Sequence, residues 1–180
     1  HPSTGTGDDD RLYINVESDG TSGGTALLRT NGYYSDPHAW YHFVVVYDSD
    51  NATEALRCRL YVNGVEVTTF ATNTVPAQGS TGVTNKGGIT QYIGRQAASS
   101  NYFDGYLAEC VFCDGQAYEA ADFGEYDTNK VWRPKDPSGL TFGDNGFYLD
   151  FADSSALGND ISGNNNDFTA NNLAAGDQST

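Results

Sequence analysis

The stretch LRCRLYVNGVEVTTF, residues 56–70, constrains the fold of this chain more than any other. Apolar and polar residues alternate on both sides of Asn63-Gly64. A type I′ turn needs positive φ at both central positions, which Asn and Gly tolerate best. The pair therefore predicts a β-hairpin, and a lone hairpin needs further strands before it is stable in water. LYINV at 12–16 alternates Leu12, Ile14 and Val16 against Tyr13 and Asn15. WYHFVVVYD at 40–48 reads as a central strand, because aromatic and β-branched residues suit a pleated surface buried on at least one face. Further strands are expected at 89–94 (ITQYIG), 103–113 (FDGYLAECVFC) and 146–152 (GFYLDFA), with one short helical turn at 119–124 (EAADFG). Short strands joined by links rich in Gly, Asn, Ser and Thr predict an all-β fold, an antiparallel jelly-roll β-sandwich.

A length of 180 residues fits a single domain, 1–180. No apolar run is long enough to cross a membrane as a helix. Only nine Lys and Arg face twenty-four Asp and Glu, a net charge of -15, so a duplex or an anionic bilayer would be repelled. Neither nucleic acid nor membrane insertion is expected. HPSTGTGDDD reads as a domain edge or a processed end. Three cysteines do not make a disulfide framework. Cys110 and Cys113 have C-x-x-C spacing, but on one strand residues three apart point to opposite faces, and no second pair or nearby His completes a zinc site. They read as small buried apolar residues.

WYHFVVVYDSDNATEALRCRLYVNGVEV at 40–67 resembles the W-x-H-x-x-x-x-Y-D … L-Y-V-N-G core of concanavalin A-like, laminin-G and pentraxin-type jelly rolls. YIGRQ and YFDGYLAECVFCDGQAY resemble the strand pair that follows it. DGQAYEAADFGE, WRPKDPSGL, GFYLDF and GNDISGNNNDFTANNL resemble a laminin-G-like module of tailed-bacteriophage structural proteins, and the likeness runs from residue 11 to 175. The resemblance implies a concanavalin A-like fold and a place on a virion assembled in the host cytoplasm. It also implies a strand region ahead of residue 11 that is missing here: either the chain is a fragment, or a neighbouring segment completes the sheet. Segment 146–175, with its D-x-S-G loop, is similar to the opening of laminin-G-like domains. It would either add a strand to the same sandwich in permuted order or begin a following module.

Some jelly rolls of this kind are retaining glycosidases with E-x-D-x-x-E on one strand, since retention needs two carboxyl groups about 5 Å apart. The nearest match is EYDTNK, where Glu125 and Asp127 are followed by Lys130 in place of the second glutamate. His1, His38 and His42 show no triad spacing, and no phosphate or dinucleotide fingerprint occurs. No enzymatic activity is expected. Asp150, Asp153, Asp160, Asn164, Asn166 and Asp167 offer the hard oxygens calcium prefers. The resemblance implies calcium in the D-x-S-G segment, although the position of its acidic partner is Ala108 here. Two readings stand: a calcium site at Asp153, Asp160, Asn164, Asn166 and Asp167, or Asx-turns whose side chains accept loop amides.

Sugar binding calls for exposed rings beside polar loops. Tyr33, Tyr34, Tyr102 and Trp132 are the candidates, with loops 29–40 and 95–105 the places to find them. The competing reading is ordinary cross-strand packing. The expectation is a non-enzymatic phage virion structural protein, a fibre, tail-associated or capsid-decoration module. It would bind host-surface glycans, contact other virion proteins and form a homo-oligomer. The alternative is a secreted, extracellular, lectin-like adhesion module.

Overall fold

Asn63 and Gly64 take φ of 49° and 79°, the left-handed pair that a type I′ turn requires. A computed structural model describes residues 10–17, 26–95 and 102–178. Its elements are β1 (Arg11–Val16), β2 (Ala26–Tyr33), β3 (Phe43–Tyr47), β4 (Cys58–Val62), β5 (Val65–Glu66), β6 (Phe70–Thr74), β7 (Cys110–Phe112), α1 (Ala120–Phe123), β8 (Gly124–Tyr126), β9 (Trp132–Pro134) and β10 (Phe147–Leu149). Among the described residues the chain is all-β apart from α1 and two 3-10 turns, and it forms two compact units, His1–Gly105 with Glu119–Pro134, and Tyr106–Tyr118 with Lys135–Thr180.

In the first unit, two three-stranded antiparallel sheets, β1-β2-β6 and β3-β4-β5, form the layers of a sandwich. Val16, Ala26 and Leu28 from one sheet pack on Cys58 and Leu60 from the other, with Leu12, Ile14, Val62 and Phe70 around them. Leu28 and Leu60 are fully buried, each worth about 1.5–3 kcal/mol of transfer free energy. A second cluster lies on the opposite face of β3 and β4. There Val44, Val46 and Tyr61 meet Ala120, Phe123 and Trp132. Both sides of β4 are thus covered, which is why Cys58, Leu60 and Tyr61 are all buried.

In the second unit, β7 and β10 pair antiparallel, with Cys110 opposite Leu149 and Phe112 opposite Phe147. Phe112 stacks on Phe147 at 5.8 Å, and Phe168 meets Phe147 edge-on at 4.9 Å. Phe142 stacks on Tyr148 at 6.3 Å. These rings hold a short ladder that two strands alone could not stabilise.

Several expected strands are shorter than their patterns. Residues 89–94 are not a strand, because Gly88 and Gly94 turn the chain at φ of 80° and 79°; an isolated bridge from Arg95 to Tyr102 remains. Of 103–113 only β7 is extended, since Glu109 at φ 55° breaks the run just ahead of it. Phe151, also at φ 55°, ends β10 early. The long run at 40–48 starts only at Phe43 and, within the first unit, is an outer strand of β3-β4-β5 where a central one was expected; Phe70 belongs to the opposite sheet from the hairpin. Conversely, β2 and the β8–β9 hairpin form where loops were expected. Cys113 lies beyond the end of β7, so the strand-face argument applies to Cys110 alone; none of the three cysteines is in a disulfide, and Cys110 and Cys113 are half-buried where full burial was expected.

Candidate functional site

The outer face of β1-β2-β6 carries alternating arginine and tyrosine. Leu12, Ile14 and Val16 point inward, so Arg11 and Tyr13 point out. Register places Tyr13 opposite Arg29 and Arg11 opposite Tyr33. The Arg11 guanidinium lies 4.7 Å from the Tyr33 ring centroid and donates to the Tyr33 hydroxyl at 2.8 Å and to the Thr30 carbonyl at 3.1 Å. Arg29 lies 5.9 Å from the Tyr13 ring and donates to its hydroxyl at 3.2 Å. Tyr13 and Tyr33 are nevertheless 47% and 54% exposed. Each ring is held in water by a cation on one side, which fixes its orientation.

The same construction recurs at Arg95, 4.7 Å from Tyr92 and 5.8 Å from Tyr102. Tyr102 is largely exposed, while residues 96–101 of that loop lie outside those described, as does His1. Tyr34 is differently placed: it packs edge-on against Tyr41 and Phe43 at 5.3 and 5.6 Å. Burial, with Tyr41 beside it, raises its phenol above the ordinary value.

Trp132 is also used in packing. Its indole N–H donates to His42 Nδ1 at 2.9 Å, and Tyr126 meets it edge-on at 5.1 Å. The ring lies so close over Gly64 and Gly124 that a Cβ on either would overlap it. Burial lowers the pKa of His42, which stays neutral and accepts the indole proton. The four ring candidates therefore serve different contacts, Tyr33 and Tyr102 against arginines and Tyr34 and Trp132 in packing. Sequence reasoning missed Arg11, Arg29, Arg95 and Tyr13, whose pairing depends on strand register, and Trp40, which is 65% exposed just ahead of β3.

Glu125 and Asp127 do not form a carboxylate pair for hydrolysis. Glu125 stands opposite Arg133 across the β8–β9 hairpin. Asp127 accepts from the amides of Asn129 and Val131 and from Arg133 Nε, at 2.8, 2.9 and 3.2 Å. The Val131 amide first, then Arg133 and Asn129, hold its carboxyl below the usual range.

In the second unit the acidic loop is organised by its own hydrogen bonds. Asp160 is only 6% exposed. Its Oδ1 accepts from the amides of Tyr148 and Ser162 at 2.8 and 2.9 Å, and its Oδ2 from the Ser162 hydroxyl and the Asn166 amide, both at 2.9 Å. Burial raises the Asp160 carboxyl, but these four donors outweigh it and leave the group below its ordinary value. Asp167 accepts the Asp160 amide at 2.8 Å. Asn164 and Asn166 both donate to the Gly146 carbonyl, and further to those of Gly143 and Asp144. Asp150 and Asp153 each accept the amide two residues on, the Asx-turn bond. Among the described residues no three His, Cys, Asp or Glu side chains converge as metal ligands. Asp160, Asn164, Asn166 and Asp167 thus share one loop, and Asp153 serves a separate turn.

A laminin G-type family model, described as the concanavalin A-like lectin/glucanases superfamily, matches residues 3–120. No curated protein and no solved structure matches the chain. The match spans more than half of the sequence and contains both layers of the first sandwich; the chain belongs to the concanavalin A-like lectin/glucanase superfamily.

Proposed function

We propose that this chain is a non-enzymatic carbohydrate-binding module, carried on the virion of a tailed phage as part of a fibre, tail or capsid surface. The observation that carries the reading is the set of exposed tyrosines braced by arginine, Tyr33 on Arg11 and Tyr13 on Arg29. A ring fixed in water offers a flat apolar surface to the face of a pyranose and loses little freedom on binding. The neighbouring guanidinium and phenol groups supply donors and acceptors for sugar hydroxyls. Superfamily membership supports sugar recognition, and the engagement of Asp127 in its own turn argues for binding without cleavage. The virion setting rests on the resemblance carried by residues 114–125, 132–140 and 158–173.

The test is a glycan array probed with the purified chain, with calcium and again with a chelator. Because the Asp160 loop closes through amide and hydroxyl donors, selective binding unchanged by chelator is expected. Binding lost in chelator would restore a calcium lectin centred on Asp160 and Asp167. Absence of binding to any glycan would overturn the carbohydrate reading and leave a module that serves protein partners.

A further inference from the structure

Residues 119–134, which form α1, β8 and β9, lie across the face of β3 and β4 that carries Val44, Val46 and Tyr61. All of these belong to the first unit. Besides the apolar cluster, polar contacts hold this strap at both ends. At α1, Arg59 donates to Glu119 Oε1 at 2.7 Å. At the β8–β9 hairpin, the Trp132 indole donates to His42 Nδ1 at 2.9 Å and the Tyr126 hydroxyl to the Asn63 carbonyl at 3.4 Å. The backbone of His42 is itself pinned: its N–H donates to Asn63 Oδ1 and its carbonyl accepts the Asn63 amide, each at 2.8 Å. The indole is seated against Gly64 and Gly124, so it leaves His42 only together with its hairpin.

The bond to His42 exists in one protonation state only. An indole N–H donates and never accepts, so Nδ1 carries a lone pair and the ring proton sits on Nε2. A proton added to Nδ1 sets two N–H donors against each other across 2.9 Å. No neighbouring charge offsets that proton. The hairpin face toward β3 carries Tyr126 and Trp132, while Glu125 and Arg133 pair on its other side. Asp127 and Lys130 lie at the hairpin turn, where Arg133 and the amides of Asn129 and Val131 occupy the Asp127 carboxylate. Glu119 is taken up by Arg59, and Glu66 stands opposite Tyr61 and acts on Arg59. Asn63 and Gly64 are neutral. We propose that His42 is an acid-sensitive latch, whose protonation at Nδ1 releases the 119–134 strap and bares Val44, Val46 and Tyr61. Burial lowers the His42 pKa in the closed state, so the open state binds the proton more readily. The latch is therefore at full strength above the ordinary histidine value. It weakens as pH falls below that value, and stops weakening once His42 is protonated in the closed state as well.

The experiment is amide exchange read by NMR on the whole chain, from about pH 8 to about pH 5, with each rate taken relative to an unstructured peptide. A two-stranded hairpin is marginal alone, so the Asp127 amide, bonded to the Val131 carbonyl at 2.9 Å, reports release of the strap. Its protection should fall by up to about tenfold per pH unit below the ordinary histidine value, in step with the titration of the His42 ring. Amides of β1-β2-β6, a sheet outside the cluster around Val44 and Trp132, should keep theirs. His42→Asn sets an oxygen near the place of Nδ1, accepts the indole proton and does not titrate, so its strap should stay protected across the range. Asp127 protection that is flat through the His42 titration overturns the proposal. So does an equal loss in β1-β2-β6, which means that the unit unfolds as a whole, or a His42→Asn protein with the wild-type acid response. If His42→Asn fails to fold, the wild-type comparison of Asp127 with β1-β2-β6 decides alone.

Discussion

Replacing Asp160 with asparagine tests whether one carboxylate holds the C-terminal loop. Asp160 accepts four hydrogen bonds, two at each oxygen. Asparagine keeps one oxygen, and the better rotamer retains the Tyr148 and Ser162 amides on it. These become neutral bonds, each weaker by about 1 kcal/mol than a bond to a charged acceptor. The new NH₂ then faces the Ser162 hydroxyl, which can turn to accept, and the Asn166 amide, which cannot. The Asn166 N–H and one N–H of the new amide then face each other without an acceptor where Asp160 is 6% exposed, at a cost of at least about 1–3 kcal/mol. The total is at least about 3–5 kcal/mol of local stability, near the upper end for a single substitution. Amide exchange at Tyr148 and Asn166 reads that opening directly, with urea unfolding as the global measure. The sign with pH follows from the lowered carboxyl. The folded protein releases the proton more readily than the unfolded chain, so the contribution is present above the ordinary Asp value and is lost as pH falls through the folded one. The variant penalty should therefore shrink in acid. A penalty below about 1 kcal/mol at neutral pH, or one that does not change down to acid pH, would refute the reasoning.

Four further outcomes follow from packing. Gly64→Ala forces a Cβ into the left-handed region at φ 79° and against the Trp132 ring; it should cost at least about 1–2 kcal/mol, seen as a lower urea midpoint with an unchanged slope. Trp132→Phe removes the donor to His42 Nδ1 and should destabilise the first unit by about 1–3 kcal/mol. In the smaller Trp132→Ala, His42 gains water, so its pKa, lowered by burial in the wild type, should climb toward the ordinary histidine value in an NMR titration. Burial pushes the Cys58 thiol up to about 11, so a thiol reagent at mildly alkaline pH should label Cys58 only at the rate of unfolding, whereas labelling at the native-state rate of Cys110 would contradict it.

The hairpin, the alternation of β1 and the aromatic run of β3 were legible in the sequence because each is a local pattern. Positive φ at Asn63-Gly64 and period-two burial at Leu12, Ile14 and Val16 need no distant partner. β2 was not legible. Its inward positions are Ala26, Leu28 and Thr30, and Thr30 is tolerated in the core because its hydroxyl accepts the Leu12 amide and donates to the Gly32 carbonyl. Residues 103–109 read as a strand since their side chains alternate, but Glu109 takes a left-handed backbone that no periodicity reports. Sequence by itself determined that this is an all-β chain, acidic, with rings near polar loops. Tertiary structure alone decided what those rings do. Cross-strand register gave Tyr33 and Tyr13 their arginines, and two glycines far apart in sequence made the seat that turns Trp132 into a packing residue. Side-chain type is a local property, but whether a ring meets water or a neighbour depends on which distant backbone lies beside it.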